Sequence, residues 1–255
     1  METSVRPLLV RGMLAGLAGG VLAFLISYVF GEGPLAAGIA FEERTAAAET
    51  MPGMAMGGEE VVSRAVQSTL GLGVVALLYG VAIGGLFGLA FAVAQGRLGT
   101  LSVRATALVV AVAGFVGAYV IPQLKYPANP PGINSGDTAV PRVESYLAIL
   151  LIGILVAAGV LWLAGRLRER FDGWNATLLA LLAGVVVVGV AYAALPHIDE
   201  TPPDFPASVL WQFRISSLAA QAALWATLGL VFGALTERAR RPRSRPSETV
   251  GSLTG

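Results

Sequence analysis

The sequence predicts an all-α, polytopic membrane protein with six transmembrane helices and cytoplasmic N and C termini. Of its 255 residues, 55% are hydrophobic and 13% are charged, whereas a soluble domain carries about 25% charged residues. Six almost uncharged apolar runs approach or exceed the length of about 20 residues that a helix needs to cross a bilayer. So many runs in one chain argue against the alternative, which is a soluble protein with buried helices.

Each of the six runs is bounded by Gly, Pro or charged residues, which are typical helix boundaries. We place the spans at residues 8–30, 69–94, 104–121, 145–165, 175–195 and 215–235, within a membrane domain that covers residues 1–238. The first run exceeds the about 7–15 apolar residues of a signal peptide. We therefore expect it to be an uncleaved first helix.

Basic residues alternate between the two ends of the predicted spans, and this alternation orients the chain. The larger group lies in the N-terminal segment, the loops after the second and fourth spans, and the C-terminal tail: Arg6, Arg11, Arg97, Arg104, Arg166, Arg168, Arg170, Arg238, Arg240, Arg241, Arg243 and Arg245. The other loops hold only Arg44, Arg64, Lys125, Arg142 and Arg214. Because positive charge favours the cytoplasmic side, we predict that both termini and the Arg-rich loops are cytoplasmic.

The remaining loops, residues 31–68, 122–144 and 196–214, are then predicted to face outward. They contain most of the acidic residues, and a face with excess negative charge attracts cations. Residues 239–255 form a basic cytoplasmic tail, which we expect to be disordered and to face anionic lipid.

Several kinds of chemistry are excluded or made improbable by what the sequence lacks. There is no cysteine, which excludes disulfides, thiolate metal sites and thiol catalysis. There is no phosphate-binding G-x-x-x-x-G-K-[ST] loop and no G-x-S-x-G elbow, and no predicted span has an Asp, Glu, Lys or His in its interior. We therefore expect neither an enzyme nor a proton-coupled exchanger, and the net charge of +1 gives no field that attracts nucleic acid.

Glycines recur every four residues in three of the spans. The stripes are Gly12, Gly16 and Gly20, then Gly80, Gly84 and Gly88, then Gly229 and Gly233. Small residues at this spacing let helix backbones approach closely, so we expect tight packing within the bundle. A homo-oligomer through the same faces is the alternative. A weak repeat also relates residues 96–125 to 165–199, as a parallel duplication or as chance similarity between apolar segments.

The third outer loop, with the sequence LPHIDETPPDFP, gathers four side chains that can bind a metal: His197, Asp199, Glu200 and Asp204. Imidazole and carboxylate ligands suit Co²⁺, Ni²⁺, Zn²⁺ or Mn²⁺. The prolines of the loop stiffen its backbone and so reduce the entropy lost when the ligands converge. The alternative is an ordinary solvated loop with surface acids.

The first outer loop contains a second set of candidate ligands, which are softer and less strongly indicated. Met51, Met54 and Met56 are followed by Glu59 and Glu60. Thioethers suit Cu(I), so this segment indicates a copper-handling protein as an alternative. A flexible loop without a metal is the simpler interpretation.

Two outer segments and two spans together resemble one known family. The segments LKYPANPPG at residues 124–132 and DETPPDFPASVLWQFRISSL at residues 199–218, and the spans around residues 77–92 and 224–238, are similar to the predicted cobalt transporter subunit family, CbtA. The resemblance implies a multi-pass protein of the bacterial plasma (inner) membrane. It also implies a transported Co²⁺ ion and no tightly bound cofactor, and a small single-span partner with a histidine-rich segment.

Carried over residue by residue, the family pattern covers Lys125, Tyr126, Pro127, Asn129, Pro130, Pro131, Glu200, Phe205, Pro206, Trp211, Phe213, Arg214 and Ser217. It makes Glu200 the first candidate ligand, ahead of Asp199, Asp204 and His197. Members commonly have another residue at the position of His197, and many have histidines where this chain has the Met residues of the first outer loop.

Together, the residues and the resemblance predict the membrane subunit of a divalent metal uptake transporter. Cobalt is the favoured ion, and the cations gather at an acidic outer face. The alternatives are a copper-handling membrane protein that uses the Met residues, or a non-transporting scaffold that binds a partner.

Overall fold

The computed structural model describes residues 5–49, 63–133 and 139–240, and within them it contains six long helices and no strand. All six helices are long and apolar enough to cross a membrane. The prediction of an all-α protein with six spans is therefore confirmed. The Met candidates of the first outer loop, with Glu59 and Glu60, and the tail beyond Arg240 lie outside the described residues.

Four of the six helices contain a single π-helical turn. The helices are α1 (Val5–Ile26, π turn Ser27–Gly31, Glu32–Glu49), α2 (Arg64–Val66, π turn Gln67–Gly71, Leu72–Ala94), α3 (Val103–Phe115, π turn Val116–Val120, Ile121–Lys125), α4 (Ala139–Leu167), α5 (Gly173–Ala194) and α6 (Ala207–Thr227, π turn Leu228–Phe232, Gly233–Arg240). We call the end that carries residues 95–102 and 168–172 the Arg-rich end, and the end that carries residues 126–133 and 195–206 the acidic end.

Most helices extend past the spans predicted from hydropathy. The largest difference is in α1, which continues from the predicted end at Phe30 to Glu49. This extension is rich in Ala and Glu, which are strong helix formers but do not raise hydropathy enough to mark a span. The predicted outer loop 31–68 therefore begins with several turns of helix.

The glycine stripes of α1 and α2 face each other inside the bundle. A Cβ on Gly16 would lie closer than 3.0 Å to the carbonyl oxygen of Gly80, and a Cβ on Gly84 would lie equally close to that of Gly12. Only glycine permits this backbone approach. The stripes are thus used within one chain, as predicted, and are not left free for contact between copies.

A buried aromatic cluster fills the bundle toward the Arg-rich end. The ring of Phe232 packs edge-on against Phe91 at 4.8 Å and against Phe87 at 5.1 Å, measured between centroids. Leu224 and Leu228 of α6 are also buried in this cluster. It closes the centre of the bundle on that side.

Helices α4 and α5 form a hairpin that joins the rest of the bundle mainly through the packing of α4 against α3. It meets α3 where Gly117 and Gly153 bring the two backbones together, and near the acidic end where Tyr192 donates to the carbonyl oxygen of Ile121. Toward the Arg-rich end, α4 separates from α2 and α3. This separation leaves an apolar groove of about 880 Å³, with Arg97 and Arg166 among its lining residues.

The three predicted outer segments meet in a small apolar cluster at the acidic end. Phe41 of α1, Ile133 of the second segment and Phe205 of the third are all buried together, and the rings of Phe41 and Phe205 lie 4.9 Å apart. The turn that delivers Ile133 needs a positive φ of 84° at Gly132, a conformation that glycine adopts readily. These segments therefore form one packed cap, which fixes the loop that carries Glu200.

Asp172 begins α5, and its removal should weaken the hairpin in a pH-dependent way. Its carboxylate accepts hydrogen bonds from the backbone N–H groups of Asn175 and Trp174, which hold the pKa of Asp172 below its ordinary value. Because its pKa is lowered by folding, this stabilisation is present above the unfolded pKa of about 3.9 and is lost as pH falls through the folded value. Asp172→Ala should therefore lower the Tm at neutral pH, and the difference from the natural protein should shrink in acid. Asp172→Asn, which still caps the helix, serves as the control in the same thermal scans.

Candidate functional site

A polar cavity of about 350 Å³ lies at the acidic end, between the end of α3, the first turns of α4 and α6, and the third outer segment. Its polar and charged lining residues are Lys125, Tyr126, Asn129, Arg142, His197, Asp199, Glu200, Thr201 and Arg214. Several residues of the family pattern and three of the four predicted ligands therefore line one cavity. Asp204, the fourth, is exposed and is not among the lining residues.

Glu200 is a deeply buried charge of this cavity. Its side chain is only 5% exposed, and its Oε2 lies 2.5 Å from Nη1 of Arg142, whose side chain is 22% exposed. The other carboxylate oxygen, Oε1, is buried and has no hydrogen-bond partner. A buried acceptor without a partner is costly, so Oε1 is an oxygen ready to accept a cation or a donor.

The other two predicted ligands on the cavity lie at its rim. His197 and Asp199 are both exposed. Oδ1 of Asp199 accepts a hydrogen bond from the backbone N–H of Thr201 at 3.2 Å, and this bond lowers the pKa of Asp199. Asp199 is therefore a carboxylate that stays ionised near neutral pH.

No preformed metal site is seen in the described part of the chain, where no group of three or more His, Cys, Asp or Glu side chains could hold an ion together. The cavity itself carries the basic side chains of Lys125, Arg142 and Arg214 beside the two carboxylates of Asp199 and Glu200. Because Arg142 already pairs with Oε2 of Glu200, a cation at the unpartnered Oε1 would compete with it for the same carboxylate charge.

The family-pattern residues of the second outer segment tie the cavity walls to neighbouring helices. Lys125 donates to the carbonyl oxygen of Tyr192 at 2.8 Å, and the Tyr126 hydroxyl donates to that of Pro196 at 2.7 Å. Arg214 of α6 donates to Oδ1 of Asn129 at 2.8 Å. Through these hydrogen bonds, the second outer segment links α5, the third outer segment and α6 to one another.

Some of the remaining residues of the family pattern are packed in the interior, and others line the cavity or are exposed. Pro130 is fully buried and Phe205 lies in the cap, whereas Pro127 lines the cavity and Pro206 immediately precedes α6. A Cβ on Gly38 would clash with Pro131. Phe213 is half-buried, Trp211 is exposed, and Ser217 contacts Tyr119 at 2.9 Å.

Arg142 is the residue of the candidate site that the sequence alone did not indicate. In the sequence, Arg142 stands out only as one of the few basic residues predicted to lie outside. It is 58 residues away from Glu200, so no local spacing relates the two. Only the packing of α4 beside the third outer segment brings them together.

A family model described as "Probable cobalt transporter subunit (CbtA)" matches residues 5–237 of the chain. This match spans all six helices and both segments that line the cavity. No curated protein matches the chain significantly, and no solved structure does.

Proposed function

We propose, from the premise that this chain belongs to the family of probable cobalt transporter subunits, CbtA, that it is the membrane subunit of a cobalt uptake system. The proposal places it in the bacterial plasma membrane with the Arg-rich end in the cytoplasm, as the distribution of basic residues favours. The acidic end then meets the incoming ion.

The observation that carries the proposal is the unpartnered, buried Oε1 of Glu200 in the cavity at the acidic end. In the proposed step, Co²⁺ binds Oε1 while Arg142 withdraws from Oε2. His197 and Asp199 on the rim, together with water, supply further ligands, because Co²⁺ accepts both imidazole and carboxylate.

The energy for uptake would come from a partner subunit or from the membrane potential. The membrane potential contributes about 2.3 kcal/mol per charge per 100 mV, and with a negative cytoplasm it favours entry of a cation. The description of the family as a subunit implies a further component, and we propose the small single-span partner with a histidine-rich segment. It should be included in reconstitution.

Uptake of labelled Co²⁺ into proteoliposomes tests the role of Glu200. Glu200→Gln keeps the volume of the side chain but removes the charge, and should lower the initial rate at least about tenfold, since even the loss of a residue that only supports a ligand has that effect. Glu144→Gln is the matched control, because Glu144 lies on the exposed surface of α4 and its replacement should leave the rate unchanged.

Two results would contradict the proposal in different ways. Equal rates for the Glu200→Gln and natural proteins would remove Glu200 from the ion path. An absence of Co²⁺ flux in the natural protein, with and without the partner, would favour a scaffold, and flux of Cu(I) in its place would favour the copper alternative.

A further inference from the structure

Three polar side chains form a ladder down α6 from the cavity toward the middle of the membrane. Arg214, Ser217 and Gln221 are spaced by three and four residues, so they lie on one face of the helix. At 1.5 Å per residue, the ladder descends about 10 Å.

Each rung of the ladder contacts a different part of the bundle. Arg214 donates to Asn129 at the cavity. One turn below, the hydroxyl groups of Ser217 and Tyr119 lie 2.9 Å apart. At the lowest rung, the amide of Gln221 lies 3.5 Å from the hydroxyl of Tyr79, which it meets as a donor.

The oxygen atoms around the lower rungs come from three helices. Tyr79 of α2 and Tyr119 of α3 supply hydroxyl groups beside Gln221 and Ser217 of α6. Tyr119 is buried and lies in the π turn Val116–Val120. Single π turns inside α-helices occur frequently at functional sites.

The amide oxygen of Gln221 gives the cluster an unsatisfied acceptor. Oε1 of Gln221 is buried and has no hydrogen-bond partner. In a membrane interior no bulk water replaces a missing partner, so an unpaired acceptor is costly. Hydroxyl and amide oxygens can bind a divalent cation directly or through the waters that it retains.

We propose that Tyr79, Tyr119, Ser217 and Gln221 form a second cation site, made of neutral oxygens, which takes the hydrated divalent ion after it leaves Glu200. The identity of this ligand rests on the proposed function. The Arg214–Asn129 contact separates the two sites in this conformation and must open for the ion to pass. Below Gln221, the buried Leu224 and Leu228 close the route toward the Arg-rich end, so the site is filled from the acidic end.

The absence of cysteine from the chain permits a direct test by thiol labelling. Ser217→Cys and Gln221→Cys, each in the full chain in proteoliposomes, are exposed to a membrane-impermeant cationic thiol reagent from the acidic end. Ser216→Cys is the matched control. Ser216 is the neighbouring buried serine, but its hydroxyl donates to its own helix at Phe213 and faces Gly31 of α1.

We expect the thiols at positions 217 and 221 to react at least about tenfold faster than the thiol at position 216, because only the first two lie on the route proposed for the hydrated ion. Added Co²⁺ should slow both reactions. An exposed thiol in Glu144→Cys should not be protected by Co²⁺, which separates occupancy of the site from binding of the ion to any thiol.

Three outcomes would overturn the second site. Equal reactivity at positions 216 and 217 would mean that the ladder only joins helices, as polar residues in membranes commonly do. Reaction without protection by Co²⁺ would show a water-filled crevice with no cation site. Equal protection of Glu144→Cys would show that Co²⁺ binds the introduced thiol itself and not the proposed site. None of these measurements requires transport, so they fail or succeed separately from the uptake assay.

Discussion

Gly84→Ala should abolish the folded protein, whereas Gly85→Ala should leave it intact. A Cβ on Gly84 would lie closer than 3.0 Å to backbone atoms of Gly12 and Gly16 on the facing helix, and a backbone cannot rotate away as a side chain can. Helices α1 and α2 would have to separate along their whole contact. We expect the free energy of unfolding to fall by at least about 4 kcal/mol, a decrease that is exceptional for a single substitution. Thermal unfolding in detergent, with size exclusion, measures it.

Gly85→Ala is a close control, because it makes the same chemical change one residue further along the same helix. A Cβ there meets only Cγ of Met13, at 3.7 Å, which is an ordinary contact. Alanine also favours helix over glycine by about 0.5–1 kcal/mol, so this variant should be as stable as the natural protein or more stable. Equal behaviour of the two variants would show that the glycine contact does not hold α1 to α2.

Arg142→Met should strongly destabilise the acidic end, because it leaves the Glu200 carboxylate buried without its cationic partner. Removal of one member of a buried ion pair costs about 3–5 kcal/mol. The side chain of Glu200 is only 5% exposed, so water can do little to replace the lost partner. The measurement is the Tm of the variant against that of the natural protein.

The double variant Arg142→Met/Glu200→Gln separates charge from packing. It leaves no buried charge at this pair, so most of the lost stability should return. Recovery should be incomplete, because Arg142 takes part in other interactions as well. Uptake of Co²⁺ should stay low in the double variant despite its stability, since Glu200 is absent. If the double variant is less stable than Arg142→Met, the ion pair is not the source of the loss.

Much of the fold could be predicted from sequence because its determinants are local. A run of apolar residues such as that in α4 marks a span whatever surrounds it. The spacing of Gly12 and Gly16, and of Gly80 and Gly84, was enough to predict close packing. The partner of each stripe could not be predicted, because nothing local relates α1 to α2 more than to α6.

The site was less predictable because its determinants are not local. Glu200 was singled out by a family pattern, but its burial depends on Arg142 and on the cap formed by Phe41, Ile133 and Phe205. The π turns also escaped prediction. Segments such as Val116–Val120 have no composition that distinguishes them from ordinary helix. The metal ligation of Glu200, Asp199 and His197 stays a prediction.

The close contact of Gly117 with Gly153 has a mechanical consequence. The α4–α5 hairpin touches the rest of the bundle at this contact and toward the acidic end, whereas a groove separates it from α2 and α3 toward the Arg-rich end. The contact is therefore the fulcrum about which the hairpin would tilt. The lever arm from Gly153 to Arg166 is about 20 Å long at 1.5 Å per residue. A tilt of about 10° at the fulcrum would therefore swing the far end by roughly 3 Å, a hinge-type motion. The groove beside Arg97 and Arg166 is the space into which the hairpin would swing.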